Sequence, residues 1–310
     1  MEYLVYGPIF KNVLNFVDGR KIDDIMGATI FSYAGMLQFT GNVLLISGQG
    51  NDFEEIFGDW FNKNKLSRDG LIKFDNPTIL ATLQYFSDGT WHNDMEFGPK
   101  ESEITNFEAE TLRILNKNIS VDSKGIYIIR SVKDVEFYES LWNMKKNDKF
   151  KIMSEIITED CRPEMYETIH NSIFKHIDIY SINKPESFSL FSVDSEEKAL
   201  DIIKSIGKPC YYRVGTKGSY MVSGNEAVFV PSVSIKENTE IDPTGCGNAS
   251  TAAATWAIGE GYDLHEVAAI GNVAAAYNVL QYGPYPDFND EIRKNALSLA
   301  LTLAEDAVKC

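Results

Sequence analysis

The chain has 310 residues, 44% of them hydrophobic and 24% charged, and a formal net charge of −16. That length buries a substantial core, and that composition excludes disordered, collagen-like and coiled-coil architectures. The negative balance excludes a nucleic-acid backbone or an anionic membrane as the main partner, because the average surface repels both.

In chain order, Tyr3-Leu-Val-Tyr6 reads as a strand that stops at the turn Gly7-Pro8. It carries no basic flank or cleavage pattern, and no apolar run along the chain reaches bilayer length, so a cytoplasmic protein is expected. Residues 9–22 are irregular and half apolar. Residues 28–39 have helical spacing closed by Gly41, and 43–47 form a buried strand that runs into Gly48-Gln-Gly-Asn-Asp52. A helix is expected over 53–64, with Phe53, Phe57, Trp60 and Phe61 in the core, and a short strand over 71–74. The stretch 78–91 has two β-rich arms around Asp88-Gly89, the strongest hairpin signal in the chain. Together with 9–22 it predicts a small sheet projecting from the main body.

From residue 105 the pattern alternates regularly. Thr105 and Glu108 predict a capping box. Strands are expected at 125–130, 150–155, 177–181 and 210–214, and helices at 133–146, 163–175 and 195–206. Such alternation requires a parallel sheet covered on both faces. Two short strands, 220–223 and 227–230, follow Gly215-Thr-Lys-Gly218. Three helices end the chain, at 247–259, 264–281 and 289–308, the second capped by Asp263 with Glu266. No repeat or linker interrupts the pattern, so a single domain over 1–310 is expected, with lid-like segments at about 9–22 and 75–100. Cys161, Cys210, Cys246 and Cys310 are scattered, as reduced thiols are. His92, His170, His176 and His265 lack ligand spacing and read as surface or packing residues.

The most informative stretch is Glu240-Ile-Asp-Pro-Thr-Gly-Cys-Gly-Asn248, which runs into a helix of small residues. Gly245 and Gly247 let the backbone bend so that successive N–H groups converge, and the helix directs its positive end to the same point. The pattern suits a phosphate, with Asn248 placed where an attacking hydroxyl would lie.

At Asp242-Pro-Thr-Gly-Cys-Gly-Asn248 the sequence resembles the ribokinase-like (PfkB) family of carbohydrate and nucleoside kinases, whose motif reads Asp-Thr-Thr-Gly-Ala-Gly-Asp; four of the seven positions match. The resemblance extends over nearly the whole chain. Gly27 and the helix after it stand at the family's N-terminal glycine motif, and Gly48 to Asp52 at its Gly-x-x-Gly-x-Asp region. Asn183 and Glu186 are similar to its Asn-x-x-Glu motif, Gly215 to Gly218 to its nucleotide-side turn, and Gly271 to Ala276 to the helix lining the adenine pocket.

The resemblance implies a doubly wound, mostly parallel α/β sheet with helices on both faces and a small β-sheet lid. It implies transfer of the γ-phosphate of ATP, with magnesium, to a sugar-like or nucleoside-like substrate, and a homodimer through the lid. Gly245, Cys246 and Gly247 would face the transferred phosphate. Gly215, Thr216, Gly218, Asn272, Ala275 and Ala276 would hold the nucleotide. Asn183 and Glu186 would act on magnesium through water, although both also read as a strand end and a helix cap. Asn12, Asp24, Gly27, Ser32 and Gln49 are the expected substrate contacts.

One departure bears on catalysis. Family members carry an aspartate as general base where this chain has Asn248, and an amide has no useful basicity. Loss of a general base costs about 10²- to 10⁴-fold in rate. The expectation is therefore a kinase with weakened catalysis, in which a nearby carboxylate such as Asp242 takes the proton. The alternative is a non-catalytic relative that binds nucleotide or sugar. A dinucleotide-dependent enzyme is discounted, because Gly7-Pro8 stands where a Gly-x-Gly-x-x-Gly turn would be needed.

Overall fold

A computed structural model describes residues 1–87, 91–96, 101–235 and 241–310; the side chains of Asp24, Trp91, Asn93, Met95, Glu96 and residues 101–106 fall outside that description. The first part of the chain runs β1 (Tyr3–Tyr6), β2 (Ile9–Asn15), β3 (Lys21–Ala28), α1 (Thr29–Leu37), β4 (Val43–Gln49), α2 (Phe53–Ile56), α3 (Gly58–Lys63), β5 (Leu71–Lys73), β6 (Ile79–Tyr85) and β7 (Trp91–Glu96). It continues with α4 (Glu101–Asn118), β8 (Gly125–Ile129), α5 (Val135–Asn143), β9 (Lys151–Glu155), α6 (Tyr166–Asn171), β10 (Ile179–Asn183), α7 (Lys184–Phe191), α8 (Glu196–Ile206) and β11 (Cys210–Arg213). The hairpin β12 (Gly218–Ser223) and β13 (Glu226–Pro231), helices α9 (Cys246–Glu260), α10 (Leu264–Asn278) and α11 (Asp290–Ala304), and β14 (Val308–Lys309) complete it.

Among the described residues the main sheet has the order β14-β13-β12-β11-β10-β9-β8-β1-β4-β5. The run from β11 to β5 is parallel, whereas β12, β13 and β14 pair antiparallel at one edge. Side chains alternate between two cores, as the period of a strand requires. Tyr3, Val5, Tyr127, Met153 and Tyr211 pack with α1, α9, α10 and α11, while Leu4, Tyr6, Ile126, Ile128 and Tyr212 pack with α4, α5, α6 and α8. Helix α9 lies directly on the sheet because its buried face is Ala249, Ala252, Ala253, Ala254 and Ala257. Gly35 lets α1 touch it backbone to backbone, since a Cβ there would stand 2.3 Å from the Ala249 carbonyl oxygen.

A second sheet has the order β3-β2-β6-β7, with β2 and β6 parallel. Leu14, Ala81 and Leu83 form its small core. Residues 9–15, read as irregular, are thus a full strand, and Lys21–Ala28 is its partner. The Asp88-Gly89 turn lies outside the described residues, but its arms Leu80–Tyr85 and Trp91–Glu96 pair antiparallel.

Several expected elements differ. Helix α4 starts at Glu101, so Thr105 is interior rather than a cap. The helix expected over 53–64 is two short ones meeting at Phe57 and Gly58. That over 163–175 is broken into a 3-10 turn at Pro163–Met165, α6, and a second 3-10 turn at Ile173–Lys175. Helix α7 was not expected as a separate element. The last helix ends at Ala304, and Val308–Lys309 adds an edge strand on β13. The capping box of Asp263 with Glu266 and the buried cluster Phe53, Phe57, Trp60 and Phe61 occur as read. No helix among the described residues is long and apolar enough to cross a membrane.

Candidate active site

The C-terminal ends of β9, β10 and β11 and the N-terminus of α9 converge, in the region where open α/β sheets bind ligands. Gly245 precedes α9 in the left-handed region (φ 77°), and among the described residues no side chain caps the helix. The Cys246 N–H donates to the Pro243 carbonyl, and the first intrahelical bond of the series is Ala249 N–H to Gly245 carbonyl. The N–H groups of Gly247 and Asn248 are thereby the orphan donors of the helix start. Gly245 is required twice over: besides its φ, a Cβ would sit 2.0 Å from the Phe31 ring of α1.

Arg213, at the end of β11, lies against this helix start. A Cβ on Gly247 would be 2.1 Å from its Nη1, so only glycine admits the guanidinium there. Arg213 is 9% exposed, and its Nη2 is 2.8 Å from Glu155 Oε1 and 3.7 Å from Glu186 Oε2. The 2.8 Å ion pair does not have hydrogen-bond geometry, and Nε and Nη2 lack acceptors among the described residues. Burial alone would lower the Arg213 pKa; the charge of Glu155, then that of Glu186, outweighs it and leaves the pKa raised. A guanidinium beside the positive end of a helix is unfavourable without anions nearby. Glu155 and Glu186 supply them, and a phosphate would meet the unsatisfied donors directly.

Glu155 is buried at the end of β9. Its Oε2 accepts from the hydroxyl of Tyr127 on β8 and, at 3.4 Å, from Asn248 Nδ2; the same Nδ2 is 3.5 Å from the Tyr127 oxygen. Burial, followed by the charge of Glu155, raises the Tyr127 pKa well above the ordinary phenol value, so this hydroxyl stays protonated. Ser32 of α1 faces Tyr127 without completing a hydrogen bond, and its Oγ is buried and unpartnered among the described residues.

The other expected residues fall into separate groups. Asn183 and Glu186 close on each other as the capping box of α7, with Glu186 N–H to Asn183 Oδ1 at 2.9 Å and Asn183 N–H to Glu186 Oε2 at 2.8 Å. Glu186 Oε1 accepts from Thr158 Oγ1, so both carboxylate oxygens are engaged. Burial raises the Glu186 pKa. Among the described residues no group of three His, Cys, Asp or Glu could hold a metal. This donor set fits magnesium only at one remove, through water and phosphate.

Asp242 is spent on its own turn, accepting from the Thr244 N–H at 3.0 Å and Oγ1 at 2.6 Å; burial raises its pKa. Its described hydrogen bonds go to Thr244, not to Asn248. Cys246 donates its thiol to the Ala275 carbonyl, and burial pushes its pKa up to about 11, away from thiolate chemistry. Gly215 (φ 69°) and Thr216 form a 3-10 turn, and Gly218 passes so close to β13 that a Cβ would be 2.1 Å from the Val230 carbonyl oxygen. Asn272 ties α10 to this hairpin, accepting from Ser219 Oγ and donating to the Val230 and Pro231 carbonyls. Ala275 and Ala276 follow it on the same helix, Ala275 partly exposed.

On the small-sheet side, Gly27 gives room to Asn12, whose Nδ2 would be 2.2 Å from a Cβ there; Asn12 Oδ1 is buried and unpartnered among the described residues. Gln49 is buried at the end of β4, and the side chain of Asp24 lies outside the described residues. The small sheet also reaches the helix start. Thr244 Oγ1 gives its proton to Asp242, so the Tyr85 hydroxyl of β6 donates to Thr244 Oγ1. Phe16 stacks on Tyr85 and meets Tyr282 edge to face, fastening the sheet to the segment after α10. A cleft of about 580 Å³ beside β5 and α4, lined by Phe74, Phe107 and Arg113 among others, includes none of these residues.

Sequence reasoning missed Arg213, Glu155 and Tyr127. A signal was present: Arg213 and Glu155 are charged residues at the C-terminal ends of strands otherwise read as buried, positions that demand a partner.

A doubly wound sheet with an uncapped helix start at its strand ends, flanked by a small second sheet, defines the ribokinase-like class of phosphotransferase folds. The signature of the pfkB family of carbohydrate kinases matches residues 27–291, and the chain belongs to that family. It is 23% identical over 317 residues to an uncharacterised protein of Schizosaccharomyces pombe, covering 91% of this chain and 85% of that protein. It shares its fold with a Burkholderia thailandensis nucleoside kinase solved with inosine, with a TM-score of 0.70 and 16% identity over 96% of this chain and 98% of the other. It is similar in the same way to an Arabidopsis thaliana ribokinase solved with ribose and ATP, with a TM-score of 0.68, 17% identity and the same coverage of 96% and 98%.

Proposed function

We propose that the chain is an ATP-dependent, magnesium-assisted phosphotransferase acting on a hydroxyl of a sugar-like or nucleoside-like small molecule. The observation that carries this reading is the buried Arg213, whose Nη1 lies against the uncapped start of α9 and whose Nε and Nη2 lack a hydrogen-bond acceptor among the described residues. Buried donors without acceptors are costly, and a phosphoryl oxygen is the ligand that pairs with them and with the Gly247 and Asn248 N–H groups together. ATP supplies the phosphoryl group, and magnesium held by water and phosphate screens its charge, with Asn183 and Glu186 in the outer shell. The turn at Gly215, Thr216 and Gly218 and the α10 residues Asn272, Ala275 and Ala276 form the nucleotide side. Asn12, Asp24, Gly27, Ser32 and Gln49 form the acceptor side, where the buried Asn12 Oδ1 and Ser32 Oγ await hydroxyl partners.

In this reading the small sheet is a lid that excludes water during transfer and serves as a dimer interface, and the setting is cytoplasmic. The nucleoside kinase solved with inosine and the ribokinase solved with ribose and ATP support the choice of acceptor class. Asn248, an amide where the family carries a base, favours a second reading: a relative that binds nucleotide or sugar without transfer. Calorimetry with ATP and magnesium, alone and with ribose, fructose, adenosine and inosine, is the test. Micromolar to millimolar nucleotide binding strengthened by one acceptor is the expected result. No binding at millimolar ATP sinks the phosphotransfer reading, and no binding of ATP or of any acceptor sinks both.

A further inference from the structure

We propose that the general base of this chain is Glu155, a carboxylate on β9 that stands in for the missing aspartate at position 248. This rests on the phosphotransfer reading above. Glu155 Oε2 is 3.4 Å from Asn248 Nδ2, so a carboxylate stands within reach of the position where the family carries its base. An aspartate at 248 would set two carboxylates against each other there, with Arg213 alone to neutralise them. An asparagine instead donates to Glu155 through its Nδ2. The groups that face Glu155 are Tyr127 of β8, Arg213 of β11 and Asn248 of α9, with Glu186 of α7 beyond Arg213 and Cys161 near enough to feel its charge. Tyr127 stays protonated, Arg213 stays charged and both Glu186 oxygens are engaged by Thr158 and the α7 cap, so Glu155 is the carboxylate of this set that meets Asn248.

In the step, the acceptor hydroxyl takes the place of the long Asn248 contact and donates to Glu155 Oε2. Its oxygen forms a bond to the γ-phosphorus as the bond from phosphorus to the β–γ bridging oxygen breaks. The proton moves to Glu155, the electron pair leaves on ADP, and the proton returns to water after product release. Arg213, at the helix start, meets the charge that develops on the phosphoryl oxygens.

The test compares the full-length chain with Glu155→Gln, Asn248→Asp, the double variant and Glu155→Asp. ADP release is followed with ATP and magnesium, both with ribose, fructose, adenosine or inosine and with water as the only acceptor. Binding of ATP is measured separately by calorimetry, and thermal melts report folding. Glu155→Gln is expected to lose about 10²- to 10⁴-fold in turnover while binding ATP at least as tightly, because a carboxylate beside the phosphate site is gone. Asn248→Asp alone should be no faster than the native chain and should melt lower at pH 8 than at pH 5, as adjacent carboxylates repel. The double variant should recover at least tenfold over Glu155→Gln, and Glu155→Asp should keep part of the activity with a shifted pH profile. Turnover of Glu155→Gln within threefold of native overturns the proposal. So does a native chain that binds ATP and releases no ADP under any condition, or one that Asn248→Asp makes faster. A native chain that does not bind ATP refutes instead the phosphotransfer reading on which the proposal stands.

Discussion

Gly247→Ala probes the contact between Arg213 and the start of α9. The new Cβ would stand 2.1 Å from Arg213 Nη1, and the guanidinium, as the free end of a long side chain, is the part that moves. Steric relief is cheap, but the displaced cation leaves its 2.8 Å pairing with Glu155, and Glu155 and Glu186 stay buried without it. Breaking a buried pair costs about 3–5 kcal/mol, and replacing glycine in a helix returns up to about 1 kcal/mol, so a net loss of about 2–4 kcal/mol is expected. Affinity for ATP should fall about 10- to 100-fold, the worth of one hydrogen bond to a charged group. Urea denaturation and calorimetry measure the two effects. In an Arg213→Met background the same glycine substitution should cost little, because the clash and the ion pair are both gone. Native-like stability and ATP affinity in Gly247→Ala would refute the assigned contact.

Three further perturbations test other parts of the site. Cys246, with its pKa pushed from 9.0 up to about 11, holds about 100-fold less thiolate near neutral pH than an unperturbed thiol. Mass spectrometry after iodoacetamide treatment should find the exposed Cys310 labelled long before it. For Glu186, burial raises the folded pKa above 4.5 against the charge of Arg213, so its contribution to stability is fully present below 4.5 and is lost as pH rises through the folded value. Glu186→Gln, which keeps the capping geometry, should therefore gain in melting temperature relative to native as pH is raised from 4 toward 8; a difference constant with pH contradicts this. Tyr85→Phe removes the hydroxyl that the small sheet gives to Thr244, costing about 1 kcal/mol. Hydrogen exchange should quicken in the loop before α9, and unchanged protection there would separate the sheet from the helix start.

Legibility of the sequence varied with the range of the interactions involved. The parallel sheet was readable from apolar runs alternating with amphipathic ones, because burial on both faces dictates that pattern locally. The helix start at Gly245 was readable because a left-handed residue followed by small ones has a short-range signature. Breaks at Phe57 and Ser172 were not, since local propensity continues through both and tertiary packing stops the helices there. Asn183 and Glu186 were readable as a cap and also as outer-shell groups for magnesium. The fold shows the cap, and its position beside Arg213 is a tertiary fact.

The sequence by itself determined the parallel sheet covered on both faces, the small-residue helix and the glycine turn that starts it, because each follows from residues within a turn or two of one another. Only the tertiary structure decided what surrounds Asn248. Tyr127, Glu155 and Arg213 come from three strands separated by 28 and 58 residues in the chain, and each looks locally like a polar residue in an ordinary strand. Parallel strand order brings β8, β9 and β11 to the same end of the sheet, and the missing side chain at Gly247 lets Arg213 close on the helix. Contacts made by such long loops leave no local period to read, so the charged cluster beneath the amide is a product of the fold.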